Sequence, residues 1–247
     1  MPEVVAHRGY ARHYPENTLL ALEAAIRAGA KYIEVDVQLS ADKIPMLFHD
    51  RDLKRMCGQK GAMHEYSMAE LSQFKASEFH RFGYKFVDTP LATLFALMGL
   101  LQRYPEVTAF VEIKRISIEQ FGIDVVLSRI MPLLQPIAER CVLISFSIEA
   151  LHKVRERGWP AVGAVIEDWK ERKQALVQKL NPRYLFCDID YLPKRGRLKF
   201  YASHIVVYEC PDAETALALA ERGVEFIETF ACKEVQEGIW LNDANAS

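Results

Sequence analysis

Residues 32–50, YIEVDVQLSADKIPMLFHD, decide how the rest of the chain is read. Tyr32 to Val37 alternates, so Glu34 and Asp36 point to one face of a strand while Ile33, Val35 and Val37 point to the other. Pro45 to Phe48 is a second β-type run, and only Ser40 to Ile44 separates it from the first. A parallel crossover needs about a dozen residues, so this short connection predicts an antiparallel hairpin centred near Asp42. Such a hairpin sets Phe48 to Asp50 opposite Glu34 to Asp36 and brings His49 beside the two acids.

Outward from the hairpin, β-type runs alternate with amphipathic helical patterns. The other runs are Val4 to Ala6, Thr108 to Ile113, Val142 to Phe146, Ala161 to Ile166, Tyr184 to Cys187, Ile205 to Glu209 and Phe226 to Phe230, nine in all. Removing the hairpin arm leaves eight parallel strands, which predicts an α/β fold, a TIM-type (β/α)8 barrel. The 247 residues suit the roughly 250 of that fold. Helices are expected at Thr18 to Ala28, Leu91 to Arg103, Ile118 to Leu134, Ile148 to Arg157, Lys170 to Leu180 and Ala213 to Arg222, with Asn17 capping the first and Gly29 ending it. One domain is expected over 1–247. Residues 51–88, polar and carrying Tyr66, Phe74, Phe79, Phe82, Tyr84 and Phe86, read as a cap insertion following the second strand and its hairpin. A variable surface insertion is the plainer reading of the same stretch.

Lys and Arg total 31 against 33 Asp and Glu, so no overall field attracts nucleic acid or an anionic membrane. The five cysteines form no C-x-x-C pair, which argues against a disulfide framework and a thiolate zinc site. The first residues lack the pattern of a secretory leader, and Leu91 to Leu101, broken by Thr93 and Gly99, is too short to span a bilayer. A soluble, cytoplasmic protein without a transmembrane segment is the expectation.

A strand of a parallel barrel is covered on both faces, so inward carboxylates must be paired, protonated or bound to a cation. For Glu34 and Asp36, spacing alone leaves a metal and a salt-bridge cluster both open. Glu112 and Lys114 repeat the spacing on a later strand. Three acids converging at the C-terminal mouth read as hard oxygen ligands for magnesium or calcium, with Lys114 facing a phosphate. His7 ends the first strand and is followed by Arg8 and Gly9. Together with His49 this makes an acid/base pair beside a cation, the equipment for displacing an alcohol from a phosphodiester. His13, His64, His80, His152 and His204 match no motif and are expected on the surface or in packing.

The order HRG at His7 to Gly9, PENT at Pro15 to Thr18, EVDV at Glu34 to Val37, HD at His49 to Asp50 and EIK at Glu112 to Lys114 resembles the glycerophosphodiester phosphodiesterase family, within the phosphatidylinositol phospholipase C-like superfamily. SF at Ser145 to Phe146 resembles the family at its next strand. The resemblance implies that Glu34, Asp36 and Glu112 bind a divalent ion, Mg2+ or Ca2+. It makes His7 and His49 the general acid/base pair, gives the phosphate to Arg8 and Lys114, and lets Glu16 support the site. Glu16 is also readable as a first-turn carboxylate favourable to the helix dipole.

The implied reaction is metal-dependent hydrolysis of a small glycerophosphodiester to glycerol 3-phosphate and an alcohol. The second half departs from the family pattern. Tyr208-Glu209-Cys210-Pro211 stands where relatives carry a WTVN-like segment, ETFACKE at 228–234 replaces TD followed by Pro, and Asp42-Lys43 replaces Asp-Gly. These changes alter the pocket wall and leave the alcohol open. The rival readings are a lysophospholipase D-like hydrolase whose cap accepts an acyl chain, and a noncatalytic barrel that binds phosphodiesters.

Overall fold

The computed structural model describes residues 1–246. Its strands are β1 (Glu3–Ala6), β2 (Tyr32–Leu39), β3 (Pro45–Leu47), β4 (Thr108–Ile113), β5 (Cys141–Ser145), β6 (Val162–Ile166), β7 (Tyr184–Asp188), β8 (His204–Tyr208) and β9 (Phe226–Thr229). All except β3 pair in parallel in the order β1-β2-β4-β5-β6-β7-β8-β9, and β9 closes on β1. This is a closed eight-stranded parallel barrel ringed by helices, the TIM-type (β/α)8 architecture.

β3 runs antiparallel to the end of β2, with Val37 opposite Leu47 and Leu39 opposite Pro45. One step further the Phe48 N–H donates to the Asp36 carbonyl at 2.9 Å. The hairpin and its register are therefore those the short connection demands.

Two apolar surfaces hold the barrel. Outward residues of β2, Ile33, Val35 and Val37, share one buried core with Leu22 and Ile26 of the helix Leu19–Arg27 and with Leu97 and Leu101 of the helix Leu94–Arg103. Inward residues, among them Val5, Phe110, Ile144, Phe186, Val206 and Phe226, form a second cluster that fills the barrel. Burying each such aliphatic or aromatic side chain contributes about 1.5–3 kcal/mol, so the barrel interior is a packed floor on which polar groups at the mouth can stand.

Several helix limits differ from expectation for local reasons. Thr18, not Asn17, caps the first helix: its backbone is extended and its Oγ1 accepts from the Ala21 N–H at 3.1 Å. Asn17 has φ 55°, and its amide is engaged elsewhere, as described below. The expected helix Ile118 to Leu134 is split into Arg115–Phe121 and Ile123–Leu134 at Gly122, whose φ of 79° suits glycine. Lys170 to Leu180 divides into a 3-10 turn, Trp169–Lys173, and a helix, Ala175–Leu180. A helix not marked from sequence, Cys232–Ala246, packs Val235 and Ile239 into the outer core.

Residues 51–88 hold three short helices, Lys54–Cys57, Met68–Leu71 and Phe79–Phe82. Met56, Met63, Leu71 and Ala76 pack against Met46 and Phe48 of the hairpin arm, a satellite core of their own. Tyr66 and Phe74 pack against it and meet each other edge to face at 5.1 Å, whereas Phe79 and Tyr84 remain exposed.

Gly9 ties the loop after β1 to the first helix. Its φ is +84°, and a Cβ there would lie 2.6 Å from the Ala21 carbonyl carbon and 2.8 Å from its oxygen, backbone atoms that cannot swing aside. Gly9→Ala is expected to destabilise the protein by about 2–3 kcal/mol, through both strain and overpacking. Urea unfolding of the variant against wild type measures it.

Candidate active site

Asp36 and Glu112 are register partners across β2 and β4, and Glu34 lies one inward position below Asp36. All three carboxylates are buried, and one oxygen from each lies within 4.8 Å of the others. Burial, reinforced by Asp36 and Glu228, pushes the Glu34 carboxyl well above the usual range. Burial also raises the Glu112 carboxyl, in spite of Lys114. At Asp36 burial is outweighed, because Lys114 and Arg8 hold it low. Two of the three acids thus lack adequate positive charge.

The nearby cations are fixed. Lys114 Nζ stands 3.1 Å from both Asp36 Oδ1 and Glu112 Oε1. Burial alone would lower its pKa, but the two acids raise it. Arg8 Nε is 3.1 Å from Asp36 Oδ2, Arg8 Nη1 donates to Glu16 Oε1 at 2.9 Å, and the Arg8 N–H donates to Glu34 Oε2 at 3.2 Å. Even so, Asp36 Oδ1 accepts no well-directed hydrogen bond. An all-oxygen set of three buried acids, two of them short of positive charge, fits a hard divalent cation. A second close group, Glu16, His49 and Asp50, has its place already filled. There Arg55 donates to Glu16 at 2.6 Å and to Asp50 at 2.7 Å.

Both predicted histidines line one cavity of about 120 Å3 together with Arg8, Glu34, Glu112 and Lys114. His7 Nδ1 and Glu209 Oε2 are hydrogen-bonded at 2.6 Å, and the ring stacks on Phe230 with centroids 4.8 Å apart. Burial, then Arg8, lowers the His7 pKa against the pull of Glu209. His49 Nδ1 bonds Asp50 Oδ1 at 2.9 Å. A carboxylate can only accept, so each neutral imidazole carries its proton on Nδ1 and keeps its lone pair on Nε2.

Glu16 is not a helix-dipole group. It is buried, lies ahead of the helix, and accepts from Arg8 and Arg55. Burial pushes its carboxyl up, but the two guanidiniums hold it below the ordinary range. Asn17 fastens Asp36 instead of capping: its Nδ2 donates to Asp36 Oδ2 at 2.8 Å, and its Oδ1 accepts from the Asp36 N–H at 3.1 Å. The remaining histidines stand apart, with His13 and His204 bonded to Glu234 and Glu225 in exposed pairs.

Three neighbours of the site were not singled out from sequence. Glu209 and Phe230 lie within the departing segments, where nothing local linked them to His7. Glu228 carried a signal, because Phe226, Glu228 and Phe230 alternate along β9 as Glu34 and Asp36 do along β2.

Residues 7–221, which include every one of these site residues except Glu228 and Phe230, match the glycerophosphoryl diester phosphodiesterase family. The chain belongs to this family. A glycerophosphodiester phosphodiesterase of Bacillus altitudinis is 35% identical over 127 residues, 50% of each chain. A probable glycerophosphodiester phosphodiesterase of Mycobacterium tuberculosis is 33% identical over 178 residues, 67% of this chain and 64% of that protein. The chain spans half or less of the length of relatives such as the Bacillus protein. An Oleispira antarctica phosphodiesterase, solved with the product sn-glycerol-3-phosphate, shares the fold with a TM-score of 0.82 at 24% identity, over 97% of both chains.

In this phosphodiesterase-family chain residues 51–88 are tied to Glu16 and Asp50 by Arg55, which also donates to buried Glu78 at 3.0 Å. Arg55→Ala is expected to cost about 1–3 kcal/mol at neutral pH, less than a fully buried pair, because Arg8 and Arg81 still serve the two glutamates. Glu16 has a folded pKa below its ordinary 4.5, so its stabilising contribution is complete above 4.5 and is lost as pH falls through the folded value. The deficit of Arg55→Ala should therefore shrink in acid, which urea unfolding at neutral and acid pH would show.

Proposed function

We propose that this protein hydrolyses a glycerophosphodiester to glycerol 3-phosphate and an alcohol with the help of a divalent ion. The observation that carries this reading is the shared cavity. Two histidines, each with a carboxylate on Nδ1, share it with Glu34, Glu112, Arg8 and Lys114, and Asp36 lies within 4.8 Å of the two glutamates. The names of the relatives and the product held by the Oleispira enzyme support it.

Glu34, Asp36 and Glu112 would hold Mg2+ or Ca2+, which supplies Lewis-acid charge to the phosphodiester oxygens. Asn17 fixes Asp36 for that task, and Arg8, held by Glu16, neutralises the phosphate with Lys114. One histidine takes a proton at Nε2 from the attacking oxygen, and the other gives one to the departing alcohol. The family resemblance points to a neighbouring glycerol hydroxyl as the attacking group. A new P–O bond closes a cyclic phosphate as the P–O bond to the alcohol breaks. Water then adds to phosphorus and the ring P–O bond opens, with the histidine roles reversed.

Residues 51–88 act as a cap over the mouth, held there by Arg55 and by Arg81, whose Nη2 donates to the Ala11 carbonyl at 2.6 Å. The groove beside the cavity is lined by Asp50, Arg51, Asp52 and Arg115, which suits a polar alcohol better than an acyl chain. The free thiols of all five cysteines accord with a reducing, cytoplasmic setting. Among the described residues no helix is long and apolar enough to cross a membrane.

The test is release of glycerol 3-phosphate from glycerophosphodiesters, with Mg2+, Ca2+ or EDTA. His49→Ala should lower kcat by about 10^2–10^4-fold, and EDTA should abolish turnover. Activity untouched by both treatments rules the reading out. Glu209→Gln, which removes the charge but keeps the size, should give a smaller fall in kcat with KM little changed.

A further inference from the structure

Glu228 is the one inward acid that the mechanism above leaves without a task. It sits on β9 level with Val5 of β1, two residues after inward Phe226 and two before Phe230, whose ring lies on His7. It is 3% exposed, and its Oε1 accepts no hydrogen bond. Arg8, which attracts its charge, is committed to Glu16 and Asp36. The oxygens of Glu34, Asp36 and Glu112 gather within 4.8 Å without it, so it is not needed to complete that cluster.

A buried carboxyl with an unbonded oxygen costs stability, and an apolar residue of similar size would suit the barrel floor better. Glu228 nevertheless lines the cavity, whose wall also includes Ile144, Val165, Phe186 and Tyr208. The other carboxylates that line the cavity, Glu34 and Glu112, are the ones assigned to the ion, so Glu228 is the carboxyl left to meet a ligand hydroxyl. At about 120 Å3 the space suits a short carbon unit attached to a phosphate, and Arg8 and Lys114 line the same cavity to receive that phosphate.

We propose that Glu228 is a polyol-reading residue, whose carboxyl accepts a hydrogen bond from a hydroxyl of the glycerol unit bound through its phosphate. The inference rests on the phosphodiesterase reading and adds the group that distinguishes a hydroxylated substrate from a bare alkyl phosphate. A site built to bond a hydroxyl discriminates against the analogue that lacks it, because its own polar group is then left unpaired.

The experiment is calorimetric binding of sn-glycerol 3-phosphate and of propyl phosphate, the same carbon chain without hydroxyls, to the full chain with Mg2+ or Ca2+. Wild type, Glu228→Leu and Glu228→Gln are compared. Wild type should prefer glycerol 3-phosphate about tenfold, the effect of one buried hydrogen bond. Glu228→Leu should erase the preference by weakening glycerol 3-phosphate while propyl phosphate stays within about twofold, and Glu228→Gln, which keeps an accepting oxygen, should retain part of it. Retained binding of propyl phosphate reports an intact fold; if Glu228→Leu does not fold, Glu228→Met carries the same comparison.

A preference that survives in Glu228→Leu overturns the assignment. So does a parallel loss for both ligands, the result expected if Glu228 only supports the acid cluster. Wild type that turns over no glycerophosphodiester and binds neither ligand overturns the functional reading first; active wild type with an unchanged preference in the variant overturns the role of Glu228 alone.

Discussion

Carboxylates enclosed in a barrel mouth repel one another, and much of the structure around the site answers that repulsion. At a separation of 4.8 Å, two ionised acids oppose each other by about 3–4 kcal/mol at an effective dielectric of 20. Lys114 and Arg8 relieve Asp36, which stays ionised, but Glu34 and Glu112 are left with raised pKa values. The remaining charge is met either by protons or by a divalent ion. Asn17 and the Arg8 backbone give Asp36 and Glu34 fixed hydrogen bonds, so the carboxylates keep their positions in either state.

β2 is the element through which this constraint spreads. It pairs with β1 and β4 to close the barrel, carries two of the three acids, and turns through the hairpin that delivers His49. Gln38, the next inward position after Asp36, places Nε2, with its two N–H donors, 2.7–3.0 Å from the carbonyls of Phe48, His49 and Asp50, and so fixes the backbone on which His49 stands. Asp50 then joins the His49 ring to Arg55, and Arg55 reaches Glu16 and Glu78. A single hydrogen-bonded path therefore runs from the barrel strand through the histidine to residues 51–88.

How much of this was legible in the sequence depended on whether the decisive interaction was local. The hairpin could be read because a connection as short as Ser40 to Ile44 permits one topology. The inward direction of Glu34, Asp36 and Glu112 followed from alternation, and the same rule applied to Glu228 would have placed it on the barrel floor. The cap of the first helix could not be read this way. Asn17 and Thr18 are both good caps by type, and the choice was made by Asp36, which takes both ends of the Asn17 amide. The split at Gly122 is a backbone event inside an otherwise continuous apolar pattern. The contact of His7 with Glu209 spans 202 positions in the chain and joins opposite sides of the closure, so no window of sequence contains it.

That contact also joins the two segments whose sequences were read as departing from the family resemblance. Glu209 at the end of β8 offers Oε2 to His7, and its Oε1 accepts from the Phe230 N–H at 2.7 Å. Phe230, just past β9, in turn lays its ring on His7 with an interplanar angle of 12°. The altered segments thus form one structure behind a single imidazole, with a carboxylate setting its tautomer and an aromatic face setting its plane. Removing either residue alone leaves the other misplaced: without Glu209 the Phe230 N–H loses its acceptor, and without the Phe230 ring the imidazole can rotate away from the carboxylate. The two positions are expected to be energetically coupled, as residues sharing a bonded neighbour are. On this argument the two segments act together on the plane and the tautomer of one imidazole.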